Sequence, residues 1–149
     1  MNNAGEYLAH RLHHEIPLTR AMQLRVNRWE NHELQLAAPL EPNINHAGSM
    51  FGGSLYSVAV LTGWGWLTLR LREAGIEGQI VIRGGSIEYP RPITGEAVGI
   101  CAAPSEAEWE KFVRQYQRRG LARLQLDIHI HTPSGEIAVH LRGDYVLQR

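Results

Sequence analysis

The chain has 149 residues, 44% hydrophobic and 20% charged, the proportions of one ordinary globular domain, and bulk disorder is excluded. Fifteen basic and fifteen acidic side chains cancel, which excludes nucleic-acid binding through a whole-domain positive field. The lone cysteine, Cys101, excludes an internal disulfide and cysteine-rich metal sites and fits a reducing compartment.

The N-terminus has no basic segment followed by an apolar run, so no secretory signal is expected. Apolar spacings of three and four predict a short amphipathic helix over Tyr7–His14, stopped before Pro17. Alternation around Met22–Val26 and Glu33–Ala37 predicts two strands, with a hairpin turn at Glu30–His32. Pro39 and Pro42 end that pairing. A polar, glycine-rich loop from Asn43 to Gly53 leads into an uncharged segment, Ser54–Leu69, apolar on nearly every side. Such a helix must be surrounded by protein. Gly63 and Gly65 each cost it about 1 kcal/mol of propensity, so close packing is expected at both. Its most apolar part, Val58–Leu69, is too short for a membrane span of about 20 residues. Strands are predicted over Gln79–Tyr89, Ala97–Ala103, Ala122–Thr132 and Ile137–Val146, the third in strict alternation. Ser105-Glu-Ala-Glu108 is a capping-box pattern opening a helix inserted between the second and third of these.

The chain therefore reads as a single α+β domain over residues 1–149, six antiparallel strands curled about one buried helix. A second copy is expected to complete the burial of that helix. The chemistry is expected at Asn45-His46-Ala47-Gly48-Ser49-Met50-Phe51-Gly52-Gly53-Ser54. Paired glycines let a backbone approach a ligand closely. First-turn amides, lacking intrahelical acceptors, favour an oxyanion or a carbonyl oxygen. His46 could act as a general base or hold the carbonyl. The alternative is a structural bend, with Ser54 and Ser57 as caps or small packing residues. His129 and His131 on one strand face, and His13 beside His14, lack the partners of a metal site; no metal and no cofactor are expected. No phosphate-binding glycine loop and no Gly-x-Ser-x-Gly elbow occur.

Three stretches resemble the hotdog-fold thioesterase superfamily: the loop Asn45–Gly53, the strand-turn Ile87-Glu88-Tyr89-Pro90-Arg91-Pro92-Ile93-Thr94-Gly95-Glu96, and Gly143-Asp144-Tyr145-Val146. The fuller loop motif is similar to one branch, the thioesterase-like domain found behind an acetyltransferase domain in some bacterial proteins. The resemblance implies a curved antiparallel sheet wrapped around a long central helix. It implies a homodimer or tetramer with sites between subunits, and a coenzyme A or acyl carrier protein thioester as substrate. No nucleic-acid or membrane partner and a cytoplasmic location are expected. The Gly53 amide would polarise the carbonyl, with Asn45, His46 and Ser57 beside it. Gly48, Phe51, Gly52 and Ser54 would line the substrate together with Arg83, Glu88 and Arg91. Arg83 and Arg91 are candidates for phosphate, Arg91 equally for a structural hydrogen bond. The position where many such enzymes carry a helical carboxylate is Val60. His46, Glu88 or Asp127 would then have to serve as base, or the protein binds a thioester without hydrolysing it. A hydratase or dehydratase is the lesser alternative.

Overall fold

A computed structural model describes residues 2–149. Helix α1 (Asn3–Glu15) starts earlier than its apolar spacing indicates, because the Asn2 side chain accepts the Gly5 N–H at 2.8 Å and caps it. Its inward face carries Leu8 and Leu12, both fully buried. The strand expected at Met22 begins only at Arg25. Pro17 opens a four-residue helix, α2 (Leu18–Ala21), and Gln23 takes a positive φ of 56° before the chain extends.

Strands β1 (Arg25–Glu30) and β2 (Glu33–Ala38) form the hairpin. Asn31 and His32 bridge them with φ of 50° and 56°, the two left-handed residues that let a two-residue turn follow strand twist. A short 3-10 turn (Glu41–Asn43) precedes α3 (Gly52–Ala74). Strands β3 (Gln79–Glu88) and β4 (Ala97–Cys101), helix α4 (Glu106–Arg119), and strands β5 (Leu121–His131) and β6 (Ile137–Gln148) complete the chain. Ser105 caps α4 as its sequence implies: its Oγ accepts the Glu108 N–H at 3.2 Å and donates to the Glu108 carboxylate at 3.0 Å.

All six strands lie in one antiparallel sheet of order β1-β2-β4-β5-β6-β3. On β5 the alternation is strict. Ala122, Leu124, Leu126, Ile128 and Ile130 are buried beneath the sheet, while Arg123, Gln125, Asp127 and His129 stand on its outer face. Helix α3 lies against the buried face and sinks Leu55, Val58, Ala59, Trp66, Leu67 and Leu69 into the core. Full burial of one such side chain contributes about 1.5–3 kcal/mol. Its two mid-helix glycines are required by contact. A methyl on Gly63 would overlap the Tyr145 hydroxyl and ring, and one on Gly65 would come within 2.8 Å of Leu34 and 3.0 Å of Leu8. Gly75, at φ 69°, ends the helix in the left-handed conformation.

Helix α3 is not wholly buried within the protomer. Gly53, Tyr56, Ser57, Val60, Leu61 and Trp64 form a stripe on one side that stays exposed or half-exposed. Helix α3 also lies against β3, an edge strand that pairs with β6 only. No helix among the described residues is long and apolar enough to cross a membrane.

Candidate active site

The loop before α3 is pinned at its base. The buried Asn43 amide donates to the carbonyls of Met22 (3.0 Å) and Pro39 (2.8 Å), and the Asn43 carbonyl accepts the Phe51 N–H at 2.8 Å. Met50 N–H donates to the Ile93 carbonyl at 2.8 Å, which ties the loop to the turn after β3. Asn45 closes the tip. Its Oδ1 accepts the amides of Ala47 (2.8 Å) and Ser49 (3.1 Å), and its Nδ2 donates to Ser49 Oγ at 3.0 Å. Gly48 supplies the positive φ, 82°, that the turn requires. The Asn45 side chain is therefore spent on the shape of the tip. His46 sits on that tip, exposed, with no hydrogen-bond partner among the described residues.

Phe51 is the residue before the helix, and it contributes no side-chain cap. Leu55 N–H returns to the Phe51 carbonyl at 3.0 Å. The three amides before it, Gly52, Gly53 and Ser54, have no acceptor among the described residues. They sit at the end of a 23-residue helix carrying roughly half a positive charge. The Phe51 ring lies over Gly53: a Cβ there would meet ring atoms, Cζ at 2.9 Å, and push the exposed ring aside. The carbonyls of the glycine pair are also held. Ser57 Oγ donates to the Gly53 carbonyl at 2.9 Å, and the Tyr89 phenol donates to the Gly52 carbonyl at 3.1 Å. Partial burial, with Tyr56 nearby, raises the Tyr89 phenol above its usual value and keeps it a donor. Tyr89 and Tyr56 both escaped the list of site residues drawn from sequence. Tyr89 stood in the strand-turn motif, but its reach to Gly52 spans 37 positions and leaves no local trace.

The structure gathers Phe51, Gly52, Gly53, Ser54 and Ser57 at the first turn of α3, with Asn45, His46 and Gly48 on the loop leading to it. It separates the others. Glu88 pairs across strands with His140, and Asp127 with Arg142, both on the outer face of the sheet, away from α3. Asp127 is engaged there: His140 Nε2 donates to it at 2.9 Å, and Arg142 lies at 3.6 Å. Within the protomer, neither carboxylate faces the α3 corner as a base. Arg83 stands at a bulge in β3, beside Gly84, Arg123 and Asp144. Arg91 is a tie for the turn, with Nε at 3.0 Å from Glu136 and a bond to the Ile137 carbonyl at 3.3 Å. The His129 and His131 rings stack at 6.0 Å, and His140 joins at 4.3 Å from His129, again on the outer face. A hollow of about 320 Å³ lies between Tyr7, Arg11, Thr68 and Arg72 at the other end of α3, whereas the corner at Gly53 is open surface.

A family profile described as "Putative thioesterase (yiiD_Cterm)" matches residues 5–149. Among solved structures, a protein of unknown function from Chlorobaculum tepidum TLS superposes with a TM-score of 0.93 at 32% identity, over 97% of this chain and 94% of that one. A protein from Shewanella oneidensis described as a "putative thioesterase" gives 0.90 at 29% identity, with both chains fully covered. The E. coli PaaI protein, at 13% identity and a TM-score of 0.69 over 98% of this chain and 94% of its own, shares the fold. A six-stranded antiparallel sheet around a long helix is thus matched along nearly the whole chain, which belongs to this thioesterase family and has the hotdog fold.

Proposed function

We propose that this protein hydrolyses acyl thioesters of coenzyme A or of an acyl carrier protein, holding the thioester carbonyl on the uncapped first turn of α3. The observation that carries the reading is the set of three unspent amides at the positive end of that helix, beside an apolar stripe that can take an acyl tail. In the reaction, a water oxygen attacks the carbonyl carbon. The Gly53 amide, with that of Ser54 alongside, takes up the charge developing on the carbonyl oxygen; one such donor is worth about 3–4 kcal/mol of barrier. The water proton passes to a ring nitrogen of His46, whose hydrogen-bonding capacity nothing else occupies. The carbon–sulfur bond then breaks, and the thiolate leaves with that proton. Asn45 acts by shaping the turn that carries His46.

The working form is a homodimer, or a tetramer built from it. Strand β3 is an edge that pairs with β6 only, and Phe51, Tyr56 and Tyr89 are exposed aromatic surface beside the α3 stripe. A partner covering this face supplies the missing wall over the α3 stripe; sedimentation at micromolar concentration tests it, and a monomer refutes it. The buried single thiol of Cys101 accords with a reducing, cytoplasmic setting.

The test is release of free thiol from a panel of acyl-CoA and acyl-carrier substrates. His46→Ala is expected to lose about 10²–10⁴-fold in kcat, and Asn45→Ala a smaller factor. A second reading rests on Val60: the stripe carries no carboxylate, as in a module that binds thioesters without cleaving them. Measurable acyl-CoA affinity with no thiol released at any chain length selects that reading and ends the hydrolase one.

A further inference from the structure

The two hydroxyls that reach the glycine pair have a consequence beyond packing. A peptide unit is planar, so its carbonyl and the N–H of the following residue point in opposite directions and move together. The Gly52 carbonyl and the Gly53 N–H belong to one such plate, and the Gly53 carbonyl and the Ser54 N–H to the next. Tyr89 holds the first plate by its oxygen at 3.1 Å, and Ser57 holds the second at 2.9 Å. The two N–H groups aimed at the carbonyl site are therefore each fixed from behind by a hydroxyl.

Such fixing has work to do at this position. Glycine has the widest backbone freedom of any residue, two of them stand in succession, and no side chain caps the turn. An uncapped Gly-Gly turn frays, and a frayed turn presents its amides only part of the time. Accepting a hydrogen bond at the carbonyl also polarises the plate and strengthens its N–H as a donor. Tyr89 itself is well anchored. Two residues on, Arg91 binds Glu136 and the Ile137 carbonyl, and beyond it Ile93 receives the Met50 N–H. Its ring lies 3.8–3.9 Å from the point where a Gly52 Cβ would stand, ordinary contact distance.

We propose that Tyr89 and Ser57 are positioning residues of the thioester site, a pair of hydroxyls that lock and polarise the Gly52–Gly53 and Gly53–Ser54 peptide plates so that their amides form a ready-made oxyanion hole. The proposal rests on the hydrolase reading for its kinetic readout and stands on the plate geometry for its spectroscopic one. Neither hydroxyl touches the reacting atoms; each acts through the amide behind which it sits.

The experiment uses the full chain with Tyr89→Phe, Ser57→Ala and the double variant. Tyr89→Phe keeps the ring against Gly52 and removes only the donor. A kcat loss of about three- to ten-fold is expected for each single variant, the size of one modest hydrogen bond strengthened in the transition state. KM and Tm are expected to stay near wild type, because substrate contacts and core packing are untouched. A hydroxyl that merely staples strand to helix would lower Tm and leave kcat alone. The amide proton spectrum gives the second readout. Tyr89→Phe is expected to move the Gly53 resonance upfield and speed its hydrogen exchange, and Ser57→Ala to do the same to Ser54, neither affecting the other's plate as strongly. A kcat for Tyr89→Phe within twofold of wild type, or an unmoved Gly53 resonance, overturns the proposal. If the wild-type chain releases no thiol, the hydrolase reading falls by itself, and the two resonances alone decide for or against the clamp.

Discussion

Helix α3 can be tested at Gly63, where propensity and packing make opposite demands. On propensity alone, Gly63→Ala stabilises the helix by about 1 kcal/mol. In place, the new methyl overlaps the Tyr145 hydroxyl and ring, with Cε2 at 2.9 Å. Tyr145 is 1% exposed and its phenol donates to the Val60 carbonyl at 2.7 Å, so it cannot swing into solvent without opening the core. Overpacking costs about 1–3 kcal/mol, a buried phenol stripped of its acceptor about the same again, and the propensity gain returns about 1, leaving a net loss of about 3 kcal/mol. For a chain of this size that is a fall in Tm of about 6–12 °C. Denaturant titration at fixed protein concentration should show a lower midpoint at unchanged slope. Gly95→Ala, whose Cβ meets nothing within 4 Å, should stay within about 0.5 kcal/mol of wild type. Because the hydroxyl is the nearest obstacle, Gly63→Ala should cost less in a Tyr145→Phe background. A Gly63→Ala protein as stable as wild type, or strictly additive single variants, would show that α3 does not approach β6 as described.

Trp64→Ala should shift the acyl-chain preference of kcat/KM toward longer tails. Its ring lies on the open stripe, three turns or about 16 Å beyond Gly53, with the Arg11 guanidinium 5.2 Å from its centroid. Trp66→Ala should leave that preference alone and cost about 3–5 kcal/mol of stability, since Trp66 is fully buried against Trp109. Arg83 stands apart from the α3 corner within the protomer, so Arg83→Ala raises KM for coenzyme A thioesters only if a partner's site borrows it, and an unchanged KM removes it from the phosphate contacts. Arg91→Ala, whose guanidinium is taken up by Glu136 and the Ile137 carbonyl, should instead lower Tm. Burial, then the neighbouring His140 and His131, hold His129 below its usual value. The unfolded chain therefore binds its proton more readily, so stability falls as pH drops through about 6.5 and levels off below the folded-state value. His129→Gln should shrink the Tm difference between pH 7 and pH 5, and an unchanged difference refutes the assignment.

Much of this fold is legible because its signals are local. The alternation from Leu124 to His131 is set by the two-residue period of a strand, and Ser105 with Glu108 announces a helix start within four positions. Asn31 and His32 form a two-residue turn, and Gly63 and Gly65 mark a helix that something approaches closely. The misreadings arise where a distant contact overrides the local pattern. Met22 looks like a strand residue, yet its side chain is buried in the core and its carbonyl is taken by Asn43, while Gln23 turns the backbone. The half-exposed stripe of α3 is as apolar as its buried faces, so composition cannot say which side the sheet leaves open. Nor does any local pattern reveal that β3 pairs with β6 and puts Glu88 on the outer face.

The same distinction divides the site. Asn45, the glycine pair and Ser57 are neighbours in sequence, so a loop opening a helix already announces backbone donors. What those donors can do depends on groups brought from elsewhere: the Tyr89 hydroxyl behind the Gly52 carbonyl, and an apolar floor where Val60 stands. That floor has a physical effect of its own. A carboxylate at Val60 would supply a base, but it would also set a negative charge beside the carbonyl oxygen as it turns negative. Valine removes that opposition and lowers the local dielectric, which strengthens each amide's pull. On the proposed hydrolase reading, this surface lends itself to carbonyl polarisation as well as to proton removal. On that ground the Tyr89→Phe, Ser57→Ala double variant, which keeps both amides but loosens their aim, should retain more kcat than His46→Ala, and the reverse ranking would show that proton removal is the smaller part of the barrier.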